Sequence, residues 1–408
     1  MRSSFISVML SLCASSAFAD TSSLQIIIEV APTRAEKGTA TLDFAHKQEI
    51  TLQRPRSFQR NAHTDLPQLK CDGIQPQIGS YGTTMSCSKL QWTVTFQSTR
   101  QTPRAIADQQ NLYSPQGWWS LIEWSDIPRV RGISNMKVCG KLVGNEQDMT
   151  CSPLPEKSDP PLILTWGKAA KVLTTNATTL TLFKDDPTDA LNEDHIPVLQ
   201  RQIEYLQKVL NTEKIAPNKI DLIWVAINKE LGQTAGAAGK QAFLANFAVT
   251  DGIATDDSIA KLHWVSAHEL FHLLAPEPYP LWISESLAQY YGYKSLESAG
   301  LTSETPMEQW QNFKEHYPYA ATGLYEAHNK VTRENNSSYY PLFYIKGAAF
   351  WQAVDQELQK AGTSLDKIVP QIEPAGLNHA TLSPATIDLL KTTLSQKVVS
   401  TLQQQYLH

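Results

Sequence analysis

The spacing of apolar residues changes along the chain. In the first part it is close to two: Leu90, Trp92, Val94 and Phe96 alternate with Gln91, Thr93 and Thr95, which puts the apolar set on one face of a strand. Segments 24–30 and 138–143 read as further strands, and the Gly, Pro and Ser turns between them predict an all-β, sandwich-like domain over residues 20–165. Pro153, Pro155, Pro160 and Pro161 mark its exit, because proline continues neither a ladder nor a helix. Beyond them Ile196, Leu199, Ile203, Leu206 and Leu210 recur at helical spacing, with Asp194 as a cap and Pro197 in the first turn. Segment 220–227 is a β-branched strand, and the glycine-rich run 232–239 leads into a second strand, 243–249. From Asp256 to His408 the pattern is almost entirely helical, closing with a helix opened by Ser383-Pro384 whose Ile387, Leu390, Leu394 and Val398 form one stripe. The predicted architecture is multidomain: the β domain, then an α+β domain over 166–408, mixed over 166–294 and helical over 295–408.

Composition narrows the class. At 408 residues, 42% hydrophobic and 18% charged, the chain is globular with ample core, not a disordered tail or a disulfide miniprotein. Its 35 basic against 40 acidic residues give a net charge of −5, with no basic run to attract nucleic acid or an anionic membrane. Residues 1–19 read as a cleaved export signal, with Arg2 ahead of the apolar stretch 5–12 and Ala17-Phe18-Ala19 at the cleavage site; Cys13 falls inside it. No stretch approaches the ~20 apolar residues of a transmembrane segment, so a periplasmic or secreted location is expected. The four remaining cysteines form two local pairs, Cys71 with Cys87 and Cys139 with Cys151, read as disulfides. The competing arrangement, one zinc held by all four thiolates, lacks the tight Cys-x-x-Cys spacing of zinc ribbons. Asn176-Ala177-Thr178 is a glycosylation acceptor that matters only in a eukaryotic secretory route.

The chemistry concentrates in His268-Glu269-Leu270-Phe271-His272, which matches HExxH on a predicted helix that Asp256, Asp257 or Ser258 can cap and that Pro276 and Pro278 end. Histidines four apart share one helix face and can hold one Zn²⁺, while Glu269 is displaced round the helix, where it can take a proton from water without ligating. The competing reading is a chance match on an ordinary buried helix. Against it stands Leu281-Trp282-Ile283-Ser284-Glu285-Ser286, a second helix start that offers Glu285 as third ligand and leaves the fourth position open, as a catalytic site requires. One Zn²⁺ per chain is therefore expected on His268, His272 and Glu285. Gln289 and Glu297 are near in number as carboxylate or amide partners, and His316 and His328 are isolated histidines that could donate a proton.

HELFH followed by PLWISESLAQYY resembles the gluzincin metallopeptidases, whose pattern is HExxH, a loop, then Trp-x-x-Glu-Gly on the next helix. Tyr344-Ile345-Lys346-Gly347-Ala348 is similar to the Tyr-x-Lys-Gly-Ala segment of the leucyl-type and glycyl-type aminopeptidases of that clan. The resemblance implies a thermolysin-like catalytic domain, peptide or protein substrates, and a role for the Tyr344 hydroxyl in supporting the tetrahedral intermediate; Tyr339 and Tyr340 are weaker candidates for that hydroxyl. It covers about 165–371, and the β region before it is only loosely similar to the glycyl aminopeptidase family. Ser286 stands where the family has glycine. The loop between His272 and Glu285 is shorter than in the well-known aminopeptidases, as in compact peptidase-MA-like members. A Gly-x-Met-Glu-Asn segment is missing, and the strand taken as its equivalent, 243–249, carries no glutamate to bind a free amine. If 243–249 is a sheet edge, a substrate chain could run along it as in endopeptidases, which leaves Glu230 or a glutamate of the C-terminal helices as the candidates to bind a free amine. The expected function is an exported zinc-dependent peptidase, amino- or endo-acting; the alternatives are a noncatalytic peptide- or protein-binding protein that keeps the fold, and a structural protein with a chance motif.

Overall fold

A computed structural model describes residues 24–56, 69–72, 81–101, 110–124, 126–175, 178–212, 219–232, 234–275, 279–301, 304–373 and 379–408. The expected export signal, Asn176, Pro276 and Pro278 lie outside the described residues.

The alternating strand forms as predicted, over Thr84–Thr95, with Leu90, Trp92 and Val94 buried. It belongs to a seven-stranded sheet with Leu24–Val30, Lys37–Gln53 and Met136–Leu142 at its centre. Packed on it is a four-stranded sheet in the order Ile163–Gly167, Trp118–Ile122, Leu112–Ser114, Gln97–Ser98. Its two faces serve different cores, because side chains alternate along a strand. Trp119, Leu121, Leu164 and Trp166 face the seven-stranded sheet. Trp118, Ile122 and Ile163 instead meet Phe183, Ile223, Val225 and Leu244 of a third sheet. With both faces covered, every residue of Trp118–Ile122 is buried. Strand Ile163–Gly167 straddles position 165. Cys71 and Cys87 lie at disulfide distance, as do Cys139 and Cys151, with Cα separations of 5.7 and 4.0 Å.

The third sheet has six strands, ordered Lys171–Thr174, Thr179–Asp185, Lys219–Asn228, Ala242–Thr250, Ala235–Ala238, with Ile253–Ala254 also paired to Ala242–Thr250. Its middle strands are parallel and its outer pairings antiparallel. Segment 243–249, expected as a possible edge and as the counterpart of the amine-binding segment, is interior and paired on both sides. The edge is Ala235–Ala238, formed from the glycine-rich run that was expected only to lead into strand 243–249. A continuous apolar run does not distinguish a doubly paired strand from an edge, and a Gly/Ala run has too little β-propensity to announce a strand.

On the sheet's other face lie helices α1 (His195–Val209) and α2 (Asp256–Leu274), α2 directly against Ala242–Thr250 and Ala235–Ala238, and behind α2 pack α3 (Leu281–Ser298), α4 (Pro306–Lys314), α5 (Leu324–Thr332) and α6 (Pro341–Lys360). Leu222, Trp224, Phe243, Ala245 and Phe247 of the sheet and Leu199, Ile203, Leu270 and Phe271 of the helices share one core. Two expected caps differ. Asp194 precedes α1 without a side-chain capping bond, and α2 is capped by Thr255, whose side chain accepts from the Ser258 amide at 3.1 Å, rather than by Asp256, Asp257 or Ser258. Ser383 does cap the helix Pro384–Leu394, but the expected stripe is broken at Ser395, whose φ of 99° stops the helix before Gln396–Leu402 begins. Among the described residues no helix is long and apolar enough to cross a membrane.

Candidate active site

Helix α2 carries His268 and His272 one turn apart, and α3 brings Glu285 to them. Two close helix contacts fix this arrangement. Against α2, a Cβ on Gly292 of α3 would come within 2.8 Å of Trp264 Cδ1, so glycine is needed for the two helices to approach. Against α6, a Cβ on Gly347 would overlap Ser286 Cβ. Ser286, the residue beside Glu285, accepts from the buried Trp351 indole at 2.8 Å and donates to the Ile283 carbonyl at 3.1 Å. Gly347 thus provides the space that a glycine at 286 would otherwise provide, and the serine adds a bond between α3 and α6.

The donor atoms converge. His268 Nε2 and His272 Nε2 are 3.2 Å apart, and they lie 3.3 and 3.6 Å from Glu285 Oε2. Tetrahedral zinc with bonds of ~2.05 Å spaces its donors about 3.3 Å apart, so two imidazoles and a carboxylate in this triangle fit that metal. All their ligand atoms lie within 4.8 Å of one another. The surroundings orient them: Ser284 Oγ is 3.1 Å from His272 Nδ1, so a proton on Nδ1 has an acceptor and the Nε2 lone pair faces the triangle. Tyr340 donates its hydroxyl to Glu285 Oε1 at 3.0 Å. Burial alone would raise the Glu285 pKa, but where no metal takes up the Nε2 atoms His268 and His272 can donate from them to its carboxylate, and this outweighs burial and holds the carboxyl well below its usual range.

Glu269 and Tyr344 line, with His268, one end of a cavity of about 540 Å³. The Tyr344 ring is 5.7 Å from that of His268, centroid to centroid, and burial, reinforced by the Glu285 carboxylate, pushes its phenol pKa well above the ordinary value, so it remains a donor. Edge strand Ala235–Ala238 lies directly over Glu269: a Cβ on Gly236 would be 2.8 Å from Glu269 Oε1. Gly236, Ser284 and Tyr340 are the positions whose part in the site sequence reading missed or ranked low; the Gly between alanines was the one available signal. Gln289 lines the cavity, whereas Glu297, His316 and His328 do not. His328 is buried near Phe343, Tyr339 packs on Tyr319 at 4.4 Å, and Lys346 donates to the Thr322 carbonyl at 2.8 Å, tying α6 to the preceding turn.

A mixed sheet with a short antiparallel edge over an HExxH helix, completed by a glutamate from the next helix, invites comparison with solved structures. The fold is similar to that of a solved aminopeptidase N family protein. An aminopeptidase N family protein from Idiomarina loihiensis is similar over 94% of this chain and 73% of its own, with a TM-score of 0.57 at 14% identity. An M1 zinc metallopeptidase from Deinococcus radiodurans is similar over 94% of this chain and 93% of its own, with a TM-score of 0.47 at 13% identity. No family model and no curated protein matches the chain. At such identity the likeness to the Idiomarina protein is one of fold, and the chemistry must be argued from the residues themselves.

Proposed function

We propose that the chain is an exported zinc-dependent peptidase, built as a β domain over 20–165 and a thermolysin-like catalytic domain over 166–408, with the two cysteine pairs as its disulfides. The observation that carries the reading is the triangle of His268, His272 and Glu285 at zinc spacing beside a Glu269 that shares the same cavity. His268, His272 and Glu285 would hold one zinc. Bound there, zinc polarises a substrate carbonyl and lowers the pKa of water towards about 7. Glu269, with no ligand duty in the triangle, takes the proton of the attacking water and delivers it to the leaving amine nitrogen. Tyr344, kept as a phenol, donates to the oxygen that gains charge when the carbonyl becomes tetrahedral. Tyr340, bonded to Glu285, and Ser284, beside His272, hold the ligands in place.

A noncatalytic binding protein needs the ligands at most, so the position of Glu269 favours the enzyme. Metal analysis of the purified protein together with digestion of a mixed peptide library tests the reading: one zinc per chain and discrete cleavage products are expected, and a protein that takes up zinc yet cleaves nothing returns the chain to the binding class.

A further inference from the structure

The cavity that begins at Glu269 continues away from it between α2, α3 and the start of α4. Trp264 and Tyr293 form its wall, their rings stacked 5.2 Å apart at 26°. Leu296 and Ile345 extend the apolar lining. A space of this size with an aromatic wall suits a long side chain better than a small one. Away from Glu269 the charged residues of the lining are Asp257, Lys261 and Glu304. Asp257 is neutralised by Lys261 at 2.7 Å. Glu304 accepts from an uncharged amide, Asn312 Nδ2 at 2.9 Å, and has no cationic partner among the described residues.

Resting on the peptidase reading, we infer that this pocket selects an arginine or lysine side chain on a residue flanking the scissile bond. The methylene stem lies along Trp264 and Tyr293, where an aromatic face attracts a cation, and the charged head reaches the carboxylate of Glu304. A purely aromatic pocket would have no use for an unneutralised carboxylate in its lining.

The test uses peptides that differ at one flanking residue, with arginine, norleucine, phenylalanine or glutamate placed on each side of the bond in turn. Two readouts are taken: kcat/KM with the zinc-loaded enzyme, and calorimetric binding to Glu269→Gln, which needs no turnover. Arginine should exceed norleucine by about tenfold in both, as one charge-assisted contact allows. Glu304→Gln, at an exposed position, should bring that ratio towards one, and Glu304→Lys should turn the preference to glutamate. Phenylalanine bound best, an arginine preference that survives Glu304→Gln, or no binding by any peptide overturns the assignment. Arginine-selective binding without hydrolysis leaves the pocket standing and fails the peptidase reading; hydrolysis without selectivity does the reverse.

Discussion

Gly236→Ala adds one methyl group to the edge strand above the proposed base. Built on the backbone, that Cβ lies 2.6 Å from Val265 Cγ1, 2.9 Å from Glu269 Cγ and 2.8 Å from Glu269 Oε1. The carbon contacts fall about 0.6–0.9 Å short of the ~3.5 Å at which such pairs become favourable. Either the strand lifts from α2 or Glu269 moves, and the carboxylate end of Glu269 is the softer element. Where a native conformation admits it, Gly→Ala stabilises by about 0.4–1 kcal/mol through the unfolded chain; here overpacking should reverse the sign and cost about 1–3 kcal/mol. Misplacing a reacting group by ~1 Å costs about 10² in rate, so kcat/KM should fall by roughly 30- to 100-fold while zinc is retained. Urea unfolding, zinc content and kcat/KM on one peptide measure the three quantities. An alanine variant as stable and as active as the parent would refute the close approach of Ala235–Ala238 to Glu269 on which the site description depends.

Tyr344→Phe should keep zinc and lower kcat by about 10² to 10³, the usual cost of one oxyanion donor, measured by steady-state kinetics; normal turnover would pass the role to Tyr340. N-acetylation of a good substrate should change kcat/KM less than about tenfold, because the edge strand carries no carboxylate and those lining the cavity are Asp257, Glu269 and Glu304; a loss of a hundredfold would establish an amine anchor. His263, wholly buried, has its pKa pushed down to about 3 by burial and by His195. Since the folded pKa is depressed, the unfolded chain binds the extra proton first, and stability present above pH 6.5 should be lost as pH falls towards 3, by on the order of 4 kcal/mol; an urea series across that range with His263→Gln as the reference should show a flatter slope for the variant.

The helices and their apolar faces were legible because period 3.6 runs undisturbed through residues such as Leu199, Ile203 and Leu206. The convergence of His268, His272 and Glu285 was legible for a related reason: i,i+4 histidines on a helix fix their own geometry, leaving only Glu285 to be supplied from the next helix. What the sequence did not disclose depends on contacts between elements. Strand 243–249 and the Gly/Ala run 235–238 exchange the edge role only once the sheet is assembled, and Tyr340 reaches Glu285 across 55 positions of chain. The caps failed by a residue, Thr255 serving in place of its acidic neighbours, because any of four consecutive polar residues could have done so.

In the proposed enzyme a metal site and a carboxylate base act together on a peptide bond, and Glu269→Gln separates the two. The side chain keeps its size and leaves His268, His272 and Glu285 untouched, but an amide accepts no proton from water at neutral pH. Zinc content and peptide hydrolysis are measured on parent and variant side by side. One zinc per chain is expected in both proteins, with cleavage by the parent alone; equal cleavage by the two, or loss of zinc from the variant, would rule out Glu269 as a base separate from the metal ligands.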